Sequence, residues 1–480
     1  MLKVRTRFAP SPTGSIHIGS IYSAMLDYAF ARKHQGKFVV RIEDTDQKRF
    51  VKGAEEKIYT GLKWFGFRMD ESPKIGGSFG PYRQSERLPI YQKYVKELVQ
   101  AGKAYYCFCS PGRLEKVRRD KQKKGQPPMY DRHCLGLEEK EVKSRLEKGE
   151  SFVLRLKVPE GKTIEVKDLI RGVIKFNSRG IDDQVLLKSD GFPTYHLAAV
   201  VDDHLMEISH VVRGEEWLSS APKHVLLYQY LGWKPPLFLH TPTIRGEKKR
   251  KLSKREDSAS LEFYKTKGYL PEALLNFLCL LGWSHPEGKD VFDFQEFIKF
   301  LELKDISPTG PFFDLKKLTW LNGVYIRKLK NEDLAEKLVA FAPAGMAKEL
   351  ILKTIPLVKE RIEKLSDYSV LVDFLIGEII PDKKLLFQKG GKDKKLIKLQ
   401  LIKILEKLER FDQWSPSVLE STFRQLAEDN DWSIGKFFMM TRIAVTGKLI
   451  TPPLFESLGL LGKGKTCQRL TRALKIFEEE

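Results

Sequence analysis

The amino-terminal region constrains the fold most strongly, because it alternates strand-like and helix-like segments. Residues 4–8 have a strand pattern, and the stretch RFAPSPTGSIHIGS at 7–20 then supplies a turn rich in proline and glycine. A helical pattern covers 18–34, and the apolar run FVVRI at 38–42 predicts a buried strand. A strand–helix–strand order indicates a parallel sheet, so we predict an α/β, Rossmann-like fold. The loops after the two strands then open on the same edge of the sheet, where such folds bind ligands.

The rest of the chain suggests an insertion and a helical end. From about residue 88 the sequence pattern changes, and the alternating segments SFVLRLKV and GVIKFNS predict an inserted α+β module. The segment VLLKSDGFPTYHLAAVVDDH, from residue 185, has a strand-like pattern that marks a return to the first domain. The final 150 or so residues are helical in pattern. There, one apolar helix face is predicted from Ile397, Leu401, Ile404, Leu408 and Phe411.

The charge balance points to a polyanionic partner. The 480 residues include 84 Lys and Arg against 63 Asp and Glu, which gives a net charge of +21. Clustered cations bind nucleic acid by releasing condensed counterions, although a lysine-rich surface that only confers solubility is the alternative. The chain shows no signal peptide and no apolar run of about 18 residues, so no membrane span is expected. Its five cysteines are few, which favours a reducing compartment and a cytoplasmic location.

Two short stretches suggest phosphate binding. A glycine-containing turn that ends at a helix start directs free backbone N–H groups at one point, and His17 and Gly19 lie there. KLSKR at 251–255 places two lysines and a serine in a charged loop. Taken singly, the first is often only a turn and the second only a solvated charge run. The two together, in this order, are much rarer.

These stretches carry a family resemblance. PSPTGSIHIGS and KLSKR resemble the two signatures of class I aminoacyl-tRNA synthetases, usually written HIGH and KMSKS. RFAPSPTG, RIEDTD, GPYRQSER, SDGFPTYHLA and VVRGEEW resemble bacterial-type glutamyl-tRNA synthetases in particular. The resemblance implies a Rossmann-like parallel-sheet catalytic domain in two halves (1–88 and 185–243), separated by an inserted acceptor-binding module (89–184). A stem-contact region (244–325) and an all-α anticodon-binding domain (326–480) follow.

The resemblance implies ATP with Mg²⁺ as a substrate and His17, Lys251 and Lys254 as catalytic residues. Leu252 and Arg255 depart from the family's Met and Ser. The implied nucleotide contacts are Pro10, Ser11, His17, Gly19, Ser20, Glu216, Ile244, Lys251, Ser253, Lys254 and Arg255.

For the amino acid, two cations suit the side-chain carboxylate of glutamate, because a guanidinium pairs with it bidentately. By resemblance these are Arg7 and Arg213, with an ordinary structural ion pair as the alternative. Glu43 would hold the substrate ammonium group. Ala199 stands where some members carry Asn. The implied substrate-binding set is Arg7, Ala9, Ser11, Glu43, Tyr195, Ala199 and Arg213.

Three cysteines within 30 residues suggest a structural Zn²⁺ site, which takes four ligands. Cys107, Cys109 and Cys134 supply thiols, but Gly136 stands where some family members carry a histidine ligand. Tyr130, in a Y-x₃-C arrangement resembling that of glutamyl-queuosine synthetases, or His133 is then the fourth ligand. Free thiols in a loop that has lost its metal are the alternative.

The predicted function is attachment of L-glutamate to tRNA(Glu) by a monomer, through a glutamyl-adenylate. The basic stretches at 116–125 and 389–395 are candidate RNA contacts, and Arg361 resembles the arginine that reads the third anticodon base. A non-discriminating enzyme that also charges tRNA(Gln) is the alternative. Another nucleotidyltransferase would lack KLSKR, and a non-catalytic RNA-binding relative would be expected to lose His17 or Lys254.

Overall fold

The computed structural model describes residues 3–246, 259–391 and 393–477. The chain forms two compact units. An α/β unit comprises Met1–Tyr264 and Leu274–Asp314, and a helical unit comprises Lys265–Ala273 and Leu315–Glu480. The finer division into five segments stays a prediction.

The α/β unit contains the strands of the described chain. They are β1 (Arg5–Phe8), β2 (Lys37–Val40), β3 (Ala104–Cys107), β4 (Val153–Leu156), β5 (Thr163–Asp168), β6 (Gly172–Asn177), β7 (Val185–Leu187), β8 (His210–Gly214) and β9 (Leu237–Thr241).

A parallel arrangement of strands forms the centre of this unit. β1 pairs with β2 in parallel, with Arg5 opposite Lys37, and β8 pairs with β9 in parallel. The two pairs are joined where the Ser209 N–H donates to the Arg5 carbonyl over 2.9 Å. The hairpin β5–β6 extends the row, because β5 pairs in parallel with β9 at Asp168. The predicted Rossmann-like parallel sheet is confirmed.

A second, antiparallel sheet has the order β3–β4–β7. The predicted β segments SFVLRLKV and GVIKFNS are confirmed as β4 and β6. The strands of the inserted segment therefore join two different sheets. β3 and β4 belong to the antiparallel sheet, whereas the β5–β6 hairpin becomes part of the main sheet.

Helices cover the sheets of the α/β unit. They are α1 (Ile18–Lys33), α2 (Ala54–Trp64), α3 (Leu88–Gln100), α4 (Pro111–Lys123), α5 (Glu139–Glu147), α6 (Tyr195–Leu205), α7 (Ala221–Tyr230), α8 (Leu261–Thr266), α9 (Pro271–Cys279) and α10 (Phe294–Phe300), with α8 and α9 crossing the division between units.

One prediction here is wrong. The strand-like reading of the segment from residue 185 holds only for β7, and the apolar part that follows it is helix α6. Leu197, Ala198, Val200 and Val201 are all buried, so α6 has no polar face along this run. Periodicity cannot separate such a fully buried helix from a buried strand.

The helical unit is confirmed as all-α. Its helices are α11 (Leu315–Lys328), α12 (Asn331–Leu338), α13 (Lys348–Val358), α14 (Asp367–Val372), α15 (Lys383–Leu385), α16 (Lys394–Glu409), α17 (Pro416–Glu428), α18 (Ile434–Thr446), α19 (Leu454–Leu461) and α20 (Lys463–Lys475). The predicted face on α16 is confirmed. Its four helical members are fully buried in one core, and Phe411 packs against that core beyond the end of the helix. Across the described residues, every helix is too short or too polar to span a bilayer.

Ile404→Ala should destabilise the helical unit by about 2–5 kcal/mol, because it removes buried methyl groups and leaves a cavity. The measurement is hydrogen–deuterium exchange of the amides in α16, which reports the free energy of opening. Lys407→Ala, on the exposed face of the same helix, is the control and should change it by less than about 0.5 kcal/mol. A similar loss in both variants would contradict the assigned core.

Candidate active site

A cavity of 1140 Å³ lies at the carboxyl ends of β1, β2, β8 and β9. This is the edge at which the parallel strands were predicted to form a site. The cavity brings together most of the predicted site residues. They are Arg7, Ala9, Pro10, Ser11, His17, Gly19, Ser20, Glu43, Tyr195, Arg213, Glu216 and Ile244.

The remaining predictions divide into two groups. Ala199 is buried one turn after Tyr195 in α6 and does not line the cavity, so its predicted role rests on the resemblance alone. Lys251, Ser253, Lys254 and Arg255 lie outside the described residues.

The two predicted loops lie side by side. The Glu43 N–H donates to the Pro10 carbonyl over 3.0 Å, which joins the turn after β1 to the loop after β2. The second loop is also tied down by Asp44, whose carboxylate accepts from the backbone N–H and hydroxyl of Ser85. The strand–helix–strand order therefore brings the two loops to the same edge of the sheet.

His17 is the N-cap of α1. Its Nδ1 accepts the Gly19 backbone N–H over 3.0 Å, so a neutral imidazole carries its proton on Nε2. A Cβ at residue 19 would lie 3.2 Å from this Nδ1, a tight contact that the imidazole would have to shift to relieve. The cap thus holds the imidazole at the positive end of the helix dipole, an environment that favours anions.

Buried charge forms the floor of the site. The Asp203 carboxylate accepts from Arg7 Nε over 3.1 Å and from Arg41 Nη1 over 2.8 Å. Arg41 also donates from Nη2 to Glu43 over 3.0 Å, and Arg7 from Nη1 to the Val212 carbonyl. Burial alone would raise the pKa of Asp203, but the charges of Arg7 and Arg41 lower it below its ordinary value. For Glu43 burial prevails and raises the pKa.

Arg213 has a different setting. Its Nη1 contacts the Tyr195 hydroxyl at 3.2 Å and His224 Nδ1 at 3.0 Å, and its Nε donates to His240 Nε2 over 3.0 Å. Among the described residues its Nη2 has no hydrogen-bond partner, although that atom is buried. A buried, unpaired N–H is costly unless a ligand satisfies it. This N–H is therefore suited to an anionic ligand in the cavity.

Trp217 is a cavity residue that the sequence analysis missed. Its ring contacts that of Tyr195, with 4.2 Å between centroids, and 38% of its surface is exposed. The signal was available, since Trp217 ends the motif VVRGEEW. The partners of Arg7 and Arg213, namely Asp203, His224 and His240, were missed too, and no local pattern marks them.

The three predicted zinc-binding cysteines lie together. Their Sγ atoms are all within 4.8 Å of one another, and Cys109 Sγ lies 3.5 Å from Cys134 Sγ. The Tyr130 hydroxyl is 3.3 Å from Cys107 Sγ and 3.4 Å from Cys109 Sγ, whereas His133 is exposed. Tetrahedral thiolates at about 2.3 Å from Zn²⁺ are separated by about 3.8 Å. The cluster fits that geometry with little movement.

The predicted RNA contacts are distributed over both units. Helix α4, which covers most of 116–125, buries none of its residues. In the helical unit Arg361 is exposed, and its charge adds to burial in lowering the pKa of Arg442. Two guanidinium groups that repel each other are both stabilised by a nearby anion. Lys392, within the stretch 389–395, lies outside the described residues.

Comparison with known proteins decides the family. Residues 3–320 match the model described as "tRNA synthetases class I (E and Q), catalytic domain", and residues 333–474 match an anticodon binding domain. The chain belongs to the class I tRNA synthetases.

Relatives within this family align over almost the full length. The glutamate–tRNA ligase of Thermus thermophilus is 45% identical over 476 residues, which covers 98% of this chain and 100% of the relative. That of Gloeobacter violaceus is 44% identical over 98% of this chain and 95% of its own length. The crystal structure of a glutamate tRNA ligase from Elizabethkingia meningosepticum in complex with its amino acid is 36% identical. It superposes with a TM-score of 0.86 and covers 98% of this chain and 99% of that one.

Asp203→Asn should destabilise this synthetase by about 3–5 kcal/mol, because Arg7 and Arg41 lose a shared buried partner. The folded-state pKa of Asp203 is lowered, so its stabilisation is fully present above about pH 4 and is lost as the pH falls. Denaturation in urea at pH 7 and at pH 3, followed by tryptophan fluorescence, measures both effects.

Asp120→Asn, at an exposed position of α4, is the matched control and should change stability by less than about 0.5 kcal/mol. A loss below about 1 kcal/mol for Asp203→Asn, or one that is independent of pH, would contradict the buried ion pairs.

Proposed function

We propose that this synthetase attaches L-glutamate to tRNA(Glu) with ATP, through a glutamyl-adenylate. The observation that carries the proposal is a cavity lined both by Arg213, whose buried Nη2 is unpaired among the described residues, and by the N-terminus of α1. One feature suits a substrate carboxylate and the other a phosphate. The relatives named glutamate–tRNA ligase support the same substrate.

In the first step, an oxygen of the substrate α-carboxylate attacks the α-phosphorus of ATP. The bond from that phosphorus to the bridging oxygen breaks, and pyrophosphate leaves with the bonding electrons. The carboxylate is already ionised at neutral pH, so the step needs no general base. The protein contributes by positioning and by stabilising negative charge on the phosphates. The proposed groups are His17, the first amides of α1, and Lys251 and Lys254 of the KLSKR stretch.

Mg²⁺, bound to the nucleotide, would neutralise part of the phosphate charge. Ile244 is buried at the cavity wall and would contact the adenine, and Glu216 would contact the nucleotide. Pro10, Ser11, Gly19, Ser20, Ser253 and Arg255 complete the proposed nucleotide site. In the second step a hydroxyl of the terminal ribose of tRNA, the 2′ one in class I enzymes, attacks the carbonyl carbon of the adenylate. The bond from that carbon to the phosphate oxygen breaks, AMP leaves with the bonding electrons, and the hydroxyl proton passes to a phosphate oxygen of AMP or to water.

Selection of glutamate would depend on Arg213 and Arg7. The side-chain carboxylate would accept from Nη2 of Arg213 and approach Arg7, whose Nη2 takes part in neither of its own two bonds. The amide of glutamine would present an N–H to a guanidinium and leave a buried donor unpaired. Glu43 would hold the substrate ammonium group, with Tyr195, Ser11 and the backbone near Ala9 beside it.

The proposed RNA contacts are the exposed α4 for the acceptor end and Arg361 for the third anticodon base. The five segments proposed from the sequence would divide these tasks, and the enzyme would act as a monomer. We also propose a structural Zn²⁺ held by Cys107, Cys109, Cys134 and Tyr130. The hydroxyl oxygen of Tyr130 supports this choice over His133, because it lies within 3.4 Å of two of the thiols.

Aminoacylation with radiolabelled glutamate and glutamine, on transcripts of tRNA(Glu) and tRNA(Gln), tests the proposal. Charging of tRNA(Glu) with glutamate is expected, and charging with glutamine is not. Charging of tRNA(Gln) with glutamate would show the non-discriminating enzyme instead. Absence of charging on either transcript, from folded protein with tRNA and Mg²⁺–ATP present, would refute the proposal.

Arg213→Ala should raise KM for glutamate by about 100-fold or more, because a charge-assisted bidentate contact is lost. The measurement is the same assay at saturating ATP and tRNA. Arg68→Ala, at an exposed arginine, serves as the control and should leave KM unchanged. An unchanged KM in Arg213→Ala would remove this residue from the substrate pocket.

Metal analysis by mass spectrometry should find about one Zn²⁺ per chain when the protein is purified without chelator. Cys109→Ser should lower that content severalfold, because it removes a thiolate. Cys467→Ser, in the helical unit, should not change it. Metal-free wild-type protein would end the zinc proposal.

A further inference from the structure

A chain of buried hydrogen bonds passes through Arg213. On one side Arg213 Nε donates to His240 Nε2 over 3.0 Å, and His240 Nδ1 lies 2.7 Å from Asp168 Oδ2. On the other side Arg213 Nη1 lies 3.0 Å from His224 Nδ1, and His224 Nε2 lies 3.1 Å from His196 Nδ1. All of these contacts lie within the α/β unit.

The direction of each bond follows from the guanidinium, which can only donate. His240 Nε2 must accept, so the proton of His240 is on Nδ1 and is donated to Asp168. His224 Nδ1 must likewise accept, so His224 donates from Nε2 to His196. Burial lowers the pKa of both His224 and His240, and the charge of Arg213 adds to the effect. For His240 the hydrogen bond to Asp168 opposes the shift, but the net direction is still downward.

Asp168 anchors the chain at the end of β5, in the hairpin that extends the main sheet. Its Oδ1 accepts the backbone N–H groups of Ile170 and Arg171, each over 3.1 Å, and so closes the hairpin turn. Its Oδ2 accepts from the backbone and the ring of His240. Oδ1 therefore stabilises the hairpin turn, whereas Oδ2 is the oxygen that is connected to Arg213 through His240.

We propose that Asp168 and His240 are positioning residues for Arg213, through which the inserted hairpin sets the selectivity of the enzyme for glutamate. Nε and Nη1 of Arg213 are held by His240, His224 and Tyr195, and this fixes the plane of the guanidinium. Arg213 lines the cavity, and Nη2 is its terminal nitrogen that has no hydrogen-bond partner among the described residues. A guanidinium free to rotate would adapt to an amide, whereas a fixed one would not. This inference rests on the proposed function.

The variants distinguish damage to the β5–β6 hairpin turn from loss of the hydrogen bonds that lead to Arg213. Asp168→Asn keeps Oδ1 for the turn but presents an NH₂ group to His240, which forces the proton of His240 onto Nε2, against Arg213 Nε–H. His240→Phe keeps an aromatic ring at this position but removes the nitrogen that accepts from Arg213 Nε. His240→Gln places an amide oxygen near the position of Nε2 and restores an acceptor for Arg213. Asp183→Asn is the matched control, because Asp183 is also buried and accepts hydrogen bonds from Tyr105, Arg132 and Val158 instead.

The measurement is steady-state aminoacylation of tRNA(Glu) by the full chain, with thermal unfolding of each variant. Asp168→Asn and His240→Phe should raise KM for glutamate about tenfold or more, with KM for ATP within about twofold. The ratio of kcat/KM for glutamate over glutamine should fall about tenfold. His240→Gln should recover most of both values, and Asp183→Asn should change neither.

A KM for glutamate that is unchanged in the folded Asp168→Asn and His240→Phe variants would overturn the inference alone. So would equal increases in KM for ATP and glutamate, or a His240→Gln variant that behaves like His240→Phe. If Asp168→Asn and His240→Phe fail to fold, His240→Asn decides, because its amide still faces Asp168 but does not reach Arg213. A tenfold rise in KM for glutamate supports the inference, and an unchanged KM contradicts it. A folded wild-type enzyme that does not charge tRNA(Glu) would overturn the proposed function and this inference with it.

Discussion

The site depends on one constraint: arginine side chains buried beneath it need partners that hold them in place. Asp203 meets this need for Arg7 and Arg41 together, and Arg41 in turn holds Glu43 at the cavity. Since an unpaired charge in this environment costs several kcal/mol, these four charged groups can persist only as a set. The cavity floor is therefore rigid before any substrate arrives. A rigid floor is what a reaction that relies on positioning requires.

Arg213 shows the complementary use of the same constraint. Neutral acceptors hold it, not a carboxylate, so its charge is not cancelled by a direct ion pair. Asp168 is connected to Arg213 only indirectly, through a hydrogen bond to His240. The charge remains available to a ligand at Nη2, in a site where burial strengthens the attraction. This contrast between Arg7, which is paired with Asp203, and Arg213, which is not paired with a carboxylate, gives the two arginines different parts in the proposed recognition of glutamate.

The sequence predicted the elements that local pattern can encode. The first strand, α1 and the second strand differ from prediction by only a residue or two at their ends, and the motif residues meet in one cavity because parallel strands bring their carboxyl ends to the same edge. The local pattern wrongly predicted a strand at α6, because a run of buried apolar residues shows no helical periodicity. It also could not find Asp203, His240 or Asp168, because each acts across a separation in sequence that only the folded sheet closes. The KLSKR residues lie outside the described chain, so their part in catalysis stays a proposal.

A crystal structure with a non-hydrolysable analogue of glutamyl-adenylate tests the central claim most directly. The account predicts the side-chain carboxylate of the glutamyl group within about 2.7–3.1 Å of Arg213 Nη2, with the contacts of Arg213 to His240 and His224 unchanged. It also predicts the phosphate beside His17 and the first amides of α1. An analogue bound with that carboxylate away from Arg213, or with Arg213 rotated off His240 to reach it, would contradict the account.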